Sequence, residues 1–208
     1  RFAVDVTEHP EQCDAATLAK YDVLVSDWNT WGKSPATTWP DATRTAFLDF
    51  VRNGKGFVAV HAGSSSFFDW AEYQQIAGAW WKLGETGHGA PHRFTVKPVA
   101  DHPITHGVQP FSTLDELWLK PGVHPAAKVL ATGDDQPVAL VTEFGQGRGF
   151  TLLLGHSAEF MNIPGFQTLL CRGTEWAATG QVATRDVLKP LAGYEYGQSR
   201  AILLEAAA

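Results

Sequence analysis

The sequence predicts an α/β fold: a mostly parallel sheet with helices on both faces and an antiparallel extension on one edge. Three observations lead there. Strand-like and helix-like segments alternate through residue 79, as parallel strands joined by crossover helices do. Residues 21–26 and 56–60 are short apolar runs, the mark of strands buried on both faces. Beyond residue 93, several strand-like runs follow one another without helices between them, which suits antiparallel pairing.

The elements follow in order. Residues 2–7 alternate and read as a strand, with an acidic loop over 8–14 and a short helical or turn segment over 17–21. Residues 21–26 form a buried strand that delivers Asp27-Trp-Asn-Thr-Trp-Gly32 to its C-terminal end, and 34–40 is loop. Residues 41–53 place Ala42, Ala46, Phe47, Phe50 and Val51 at helical spacing, and Gly54 stops the helix. The strand over 56–60 runs straight into His61-Ala-Gly-Ser-Ser-Ser66, and a helix is expected over 69–79. Residues 80–91, rich in Trp, Gly and His, read as an exposed aromatic loop. Strands are expected over 93–99, 111–119, 127–132, 138–144 and 149–154. The last two form a hairpin through Gly145-Gln-Gly-Arg148, and a turn-rich link covers 101–107. Phe166, Leu169, Leu170, Trp176 and Ala177 mark a helix over 164–179. The expected organisation is one domain over 1–180 and a C-terminal extension over 181–208.

Composition excludes several classes of function. The chain has 208 residues, 44% of them hydrophobic and 18% charged, enough for a real core. Its 22 acidic and 16 basic side chains give a net charge of −6, which argues against nucleic acid as a partner. No apolar run approaches the roughly 20 residues of a membrane span. Cys13 and Cys171 cannot make a disulfide framework or a thiolate zinc site. The chain opens on Arg1 without a secretory signal, and its only Met is Met161. The expectation is a sequence that begins after processing or is incomplete at its N-terminus. The compartment stays open between cytoplasmic and, with a leader removed, periplasmic or secreted.

Ligands of open α/β sheets bind beyond the carboxyl ends of the strands. Three polar clusters fall there: Asp27-Trp28-Asn29, His61–Ser66 in sequence, and His156-Ser157-Ala158-Glu159. His61 is the sharpest candidate, because a strand turning abruptly into a helix lifts its turn residue to the crest of the sheet. The N–H groups of that helix start could receive an anion. His61 suits a general base or a metal ligand, against a plain hydrogen-bonded histidine.

The residues Gly56-Phe-Val-Ala-Val-His-Ala-Gly63, Phe68-Asp-Trp70, Tyr73, Ile76-Ala-Gly78, Asp101-His-Pro103, Asp115-Glu116, Pro137-Val138 and Leu154-Gly-His156 occur in that order. This series resembles the ThuA-like (trehalose utilisation) proteins of the class I glutamine amidotransferase-like superfamily, over roughly residues 20–180. The resemblance implies a flavodoxin-like three-layer sandwich and a role in carbohydrate metabolism. The opening strand of such domains, with its Gly-rich loop, is missing from this reading. Glutamine amidotransferases carry Cys at the elbow where this chain has His61, a poor replacement in amide hydrolysis, so glutaminase activity is not expected.

The expected catalytic residues are His61, His156 and Glu116. For His156 two readings stand level, a crevice residue and a structural histidine. Within Asp115-Glu116 strand alternation turns one carboxylate inward, and the resemblance favours Glu116. Asp27, Trp28, Ser64, Trp81 and His88 are the expected substrate-binding residues for a small carbohydrate, with aromatic rings for its C–H faces. His61, His88, Glu116 and His156 would suit zinc or another divalent metal, although no helical metal motif supports them and no cofactor is certain. His92, His102 and His106 read as structural, and His9 and His124 as surface residues. Trp80-Trp81 would suit a subunit interface of a homo-oligomer, and Trp70 and Trp118 read as core. A non-catalytic sugar-binding or interaction module and a metal-dependent hydrolase are the rival readings.

Overall fold

The computed structural model describes residues 2–29 and 39–186. Trp31, the loop over 34–38 and the extension beyond residue 186 lie outside the described residues.

The chain enters through a 3-10 turn at Pro10–Gln12 and the short helix α1 (Ala15–Leu18), capped by the Asp14 carboxylate on the Thr17 N–H. Strand β1 (Val23–Ser26), helix α2 (Asp41–Arg52), strand β2 (Gly56–Val60) and helix α3 (Ala71–Ala77) follow. Next come the short strands β3 (Ala79–Trp80) and β4 (Gly87–His88), then β5 (His92–Pro98) and β6 (Phe111–Asp115). The strands β7 (Trp118–Leu119), β8 (Gly122–Val123), β9 (Lys128–Gly133), β10 (Gln136–Phe144) and β11 (Gly147–Leu152) precede helix α4 (Pro164–Thr179).

Seven strands form one sheet in the order β1-β2-β11-β10-β9-β5-β6. The pairs β1–β2 and β2–β11 are parallel, and the others are antiparallel. Strands β1, β2, β11, β9 and β6 therefore run one way, and β10 and β5 the other. The antiparallel extension is larger than the edge feature expected from the sequence.

Alternation in β2 shows why the sheet is covered twice. Phe57 and Ala59 pack with Phe47, Phe50 and Val51 of α2 and Tyr73 of α3. Val58 and Val60 point the other way, into a cluster with Phe166, Leu169 and Trp176 of α4. The result is three layers: α2 and α3, the sheet, and α4. Burying these side chains supplies on the order of 2 kcal/mol apiece. Arg172 joins the C-terminal segment to this frame. It is buried, and its guanidinium donates to the carbonyls of Thr184, Ile104, His106 and Arg185.

Several expectations change. Residues 2–7 form no strand; Phe2, Val4 and Val6 are exposed, and no neighbouring strand receives their backbone groups among the described residues. The expected strand over 111–119 is interrupted at Glu116 and Leu117. The hairpin between β10 and β11 turns through Gly145 and Gln146 alone, since Phe144 already pairs with Gly147. The aromatic loop over 80–91 contains β4 and a buried Trp81, which packs with Trp118 in a third core cluster. No described helix is long and apolar enough to cross a membrane.

Candidate functional site

Strand β2 lifts His61 to the end of the sheet. The backbone then tightens into a 3-10 helix at His61–Ser65. This is not the α-helix start expected there: α3 begins only at Ala71, so no α-helical N-terminus faces an anion at the elbow. His61 adopts φ +30°, which a non-glycine residue holds only under strain of about 1–3 kcal/mol. Gly63 lets the elbow press against β1, since a Cβ there would lie 2.1 Å from the Ser26 carbonyl oxygen. The Tyr73 hydroxyl fixes the same turn by donating to the Gly63 carbonyl at 2.8 Å.

The register sets the ring of His61. Val60 pairs with Leu152, so Leu153 arrives level with His61. His61 Nδ1 lies 3.0 Å from the Leu153 carbonyl oxygen. A carbonyl can only accept, so Nδ1 carries the proton and Nε2 of the neutral ring is a free lone pair.

The carboxylate comes from the far edge of the sheet. The sheet curls until Asp115, at the end of β6, meets the segment beyond β11. Asp115 is fully buried and accepts the backbone N–H of Glu116 (2.8 Å), Gly155 (2.7 Å) and His156 (3.1 Å). One carboxylate thus holds two of the candidate residues by their main chain. The alternation expected for this pair does not apply, because β6 ends at Asp115; both carboxylates are buried.

His61, Glu116 and His156 meet at one point. His61 Nε2 lies 3.2 Å from His156 Nδ1 and 3.6 Å from Glu116 Oε1, and His156 Nδ1 lies 3.4 Å from that same oxygen. The other oxygen, Oε2, takes His88 Nδ1 at 3.0 Å. His61 and Glu116 are buried, whereas the His156 and His88 side chains are 45% and 44% exposed, so the cluster has a buried floor and an open rim. Trp118 lies 5.1 Å from the His61 ring, and Trp81 stands edge-on to Trp118.

Burial opposes ionisation of Glu116, but when the imidazoles are protonated, the hydrogen bond from His61 and the charges of His156, His88 and His61 together hold its carboxyl below the ordinary range. Asp27 goes the other way. Burial pushes its carboxyl up to about 7, against the attraction of His61 and a hydrogen bond from the Ala62 N–H. Its Oδ1 is buried with no hydrogen-bond partner among the described residues.

The remaining expected residues separate. Trp28 packs on Trp39 and Phe67, each at 5.7 Å, on the α2 side of the sheet. Ser64 is fully buried, with no partner for its Oγ among the described residues, and its carbonyl accepts the N–H of Trp81, which is also buried. His88 belongs to the cluster through Glu116 Oε2, outside the three convergent donor atoms. His92 reaches Asp134, and His102 stands edge-on to Trp176 and accepts the Ile104 N–H. An apolar cavity lined by Leu24, Val25, Trp28, Trp39 and Phe47 lies beside β1 and includes no residue of the cluster. Asp115 as the anchor was missed; its only signal in sequence was two adjacent carboxylates at a strand end.

The comparisons fit this frame. A ThuA-like protein from Parabacteroides merdae is 27% identical, with a TM-score of 0.72 over 81% of this chain and 74% of that one. Another, from Bacteroides uniformis, is 18% identical, with a TM-score of 0.66 over 87% and 80%. A β-galactosidase of Bacillus circulans shares the fold alone, at 19% identity and a TM-score of 0.50 over 77% of this chain and 23% of that one. No curated protein matches the chain. The family model for ThuA, described as trehalose utilisation, matches residues 1–177. With that match over most of its length, the chain belongs to the ThuA family.

Proposed function

We propose that this protein is a carbohydrate-active enzyme that acts on a sugar or keto-sugar by proton transfer at the His61–Glu116–His156 cluster, without glutaminase activity. Membership of a trehalose-utilisation family supports the substrate class. The observation that carries the reaction is the meeting of two imidazoles on one oxygen of a buried carboxylate, 3.4 and 3.6 Å away. His156 stands at the open rim and can reach a bound sugar. The proton on the carbon beside a keto group would pass to an imidazole nitrogen, the C–H electron pair moving toward the carbonyl. Glu116 would stabilise the imidazolium so formed, and the proton would return to carbon or oxygen. His88, half-exposed on Glu116 Oε2, would meet a substrate hydroxyl.

Solvent exchange tests this. Glycosides and their 3-keto derivatives would be incubated in D2O and followed by NMR. Deuterium should enter carbons next to the keto group with the wild type, at least 100-fold faster than with His156→Ala. Turnover unaffected by His61→Ala would sink the proposal. Sugar binding without exchange would favour the non-catalytic module.

A further inference from the structure

We infer that His61 Nε2, His156 Nδ1 and Glu116 Oε1 form a three-donor site for a four-coordinate divalent transition cation of the zinc type. The inference rests on the same cluster as the proposed function and names the cofactor that cluster would take.

The spacing carries it. The three donor-to-donor distances are 3.2, 3.4 and 3.6 Å. Donors bound at about 2.1 Å lie about 3.4 Å apart around a tetrahedral cation, but only about 3.0 Å apart at neighbouring octahedral positions. The observed triangle matches the tetrahedral set. Two imidazoles and one carboxylate make a borderline donor set suited to zinc, and three protein ligands leave a fourth position open.

The surroundings point the same way. The Leu153 carbonyl takes the proton of His61 Nδ1, turning the Nε2 lone pair into the cluster. His88 Nδ1 holds the oxygen of Glu116 that faces away from the other two donors. Both are the outer partners that orient metal ligands. Asp115 ties the backbones of Glu116 and His156 to each other, so two donors keep their positions without a cation. Burial of His61 and Glu116 with exposure of His156 gives an entry path on one side. A cation seated here would take the lone pairs of His61 and His156 and supply Lewis acidity, leaving His88, the imidazole outside the donor set, to accept the proton of the proposed reaction.

Zn2+ alone is the probe, titrated calorimetrically into chelator-treated protein, with Co2+ as a spectroscopic substitute. The expected result is one Zn2+ per chain at a Kd below about 1 µM, and the intense visible absorption of four-coordinate Co2+. His156→Ala, at a half-exposed position, should keep its unfolding temperature and bind at least 100-fold more weakly. His88→Ala should weaken binding by about tenfold, and His92→Ala should leave it unchanged. Wild type binding no tighter than about 10 µM, or His156→Ala binding as tightly as the wild type, would overturn the site. No sugar enters this experiment, so a protein that binds Zn2+ but exchanges no sugar proton refutes only the proposed function. A protein that exchanges sugar protons but binds no Zn2+ refutes only the metal site.

Discussion

The Leu153 carbonyl oxygen lies 3.0 Å from His61 Nδ1 and decides which nitrogen of that ring is free. The bond crosses from the strand beside β2, so the tautomer of a site residue is written into sheet register. The same residue sits at φ +30°.

That backbone angle separates two substitutions. Asn enters the left-handed region readily and a β-branched residue does not. His61→Asn should therefore be more stable than His61→Val by about 1–2 kcal/mol. Urea denaturation of the two variants measures the difference.

Asp115 should matter to stability as much as to the site. Asp115→Ala leaves the buried N–H groups of Glu116, Gly155 and His156 without their acceptor. The loss should be on the order of 3 kcal/mol. Asp115→Asn retains one oxygen and turns an amide NH2 toward one side of the anchor, so it should also destabilise, by less. Thermal unfolding gives the order wild type, Asn, Ala.

Asp27 should make stability fall as pH rises. Its folded carboxyl keeps its proton up to about 7, while an unfolded aspartate releases it near 3.9. Between those values the folded state binds more protons than the unfolded state, so stability is fully present below about pH 4 and declines toward pH 7. The decline attributable to Asp27 should be on the order of 4 kcal/mol. Wild type and Asp27→Asn, unfolded in urea from pH 4 to 8, should diverge with the variant gaining relative to wild type as pH rises. Parallel curves would refute it.

Arg172 should hold residues 184 and 185 to the domain. Arg172→Met removes the donors to the Thr184 and Arg185 carbonyls and to the turn around Ile104 and His106. The expected cost is about 3 kcal/mol, with faster tryptic cleavage after Arg185.

Much of the frame was legible from local pattern. The apolar runs at 21–26 and 56–60 and the helical spacing at 41–53 and 164–179 became β1, β2, α2 and α4, within a residue or two at their ends. His61 and His156 are legible because each follows a strand end, whereas Glu116 is favoured over Asp115 by the family resemblance. What the pattern could not supply was distance between edges. Asp115 gains its role from a sheet that curls until its last strand meets the segment after β11, and no local periodicity encodes curl. Residues 2–7 failed for the converse reason: alternation describes a strand's faces, but a strand also needs a neighbour for its hydrogen bonds. Trp81 was misread because Trp beside Gly and His looks polar in sequence, while its burial depends on Trp118, which arrives 37 positions later.

His61 and His156 stand 95 residues apart, and Glu116 lies between them in sequence, one residue past the end of β6 at the opposite margin of the sheet. The cluster therefore has a history during synthesis. A nascent chain that has released β2 and β6 but not β11 has nothing to carry Leu153, Gly155 or His156 to them. His61 lacks its orienting carbonyl, and Asp115 has two of its three clients missing. Loop closure over such separations comes late in folding. The proposed reactivity is thus tied to completion: a chain interrupted before β11 holds both β2 and β6 and still has no assembled cluster.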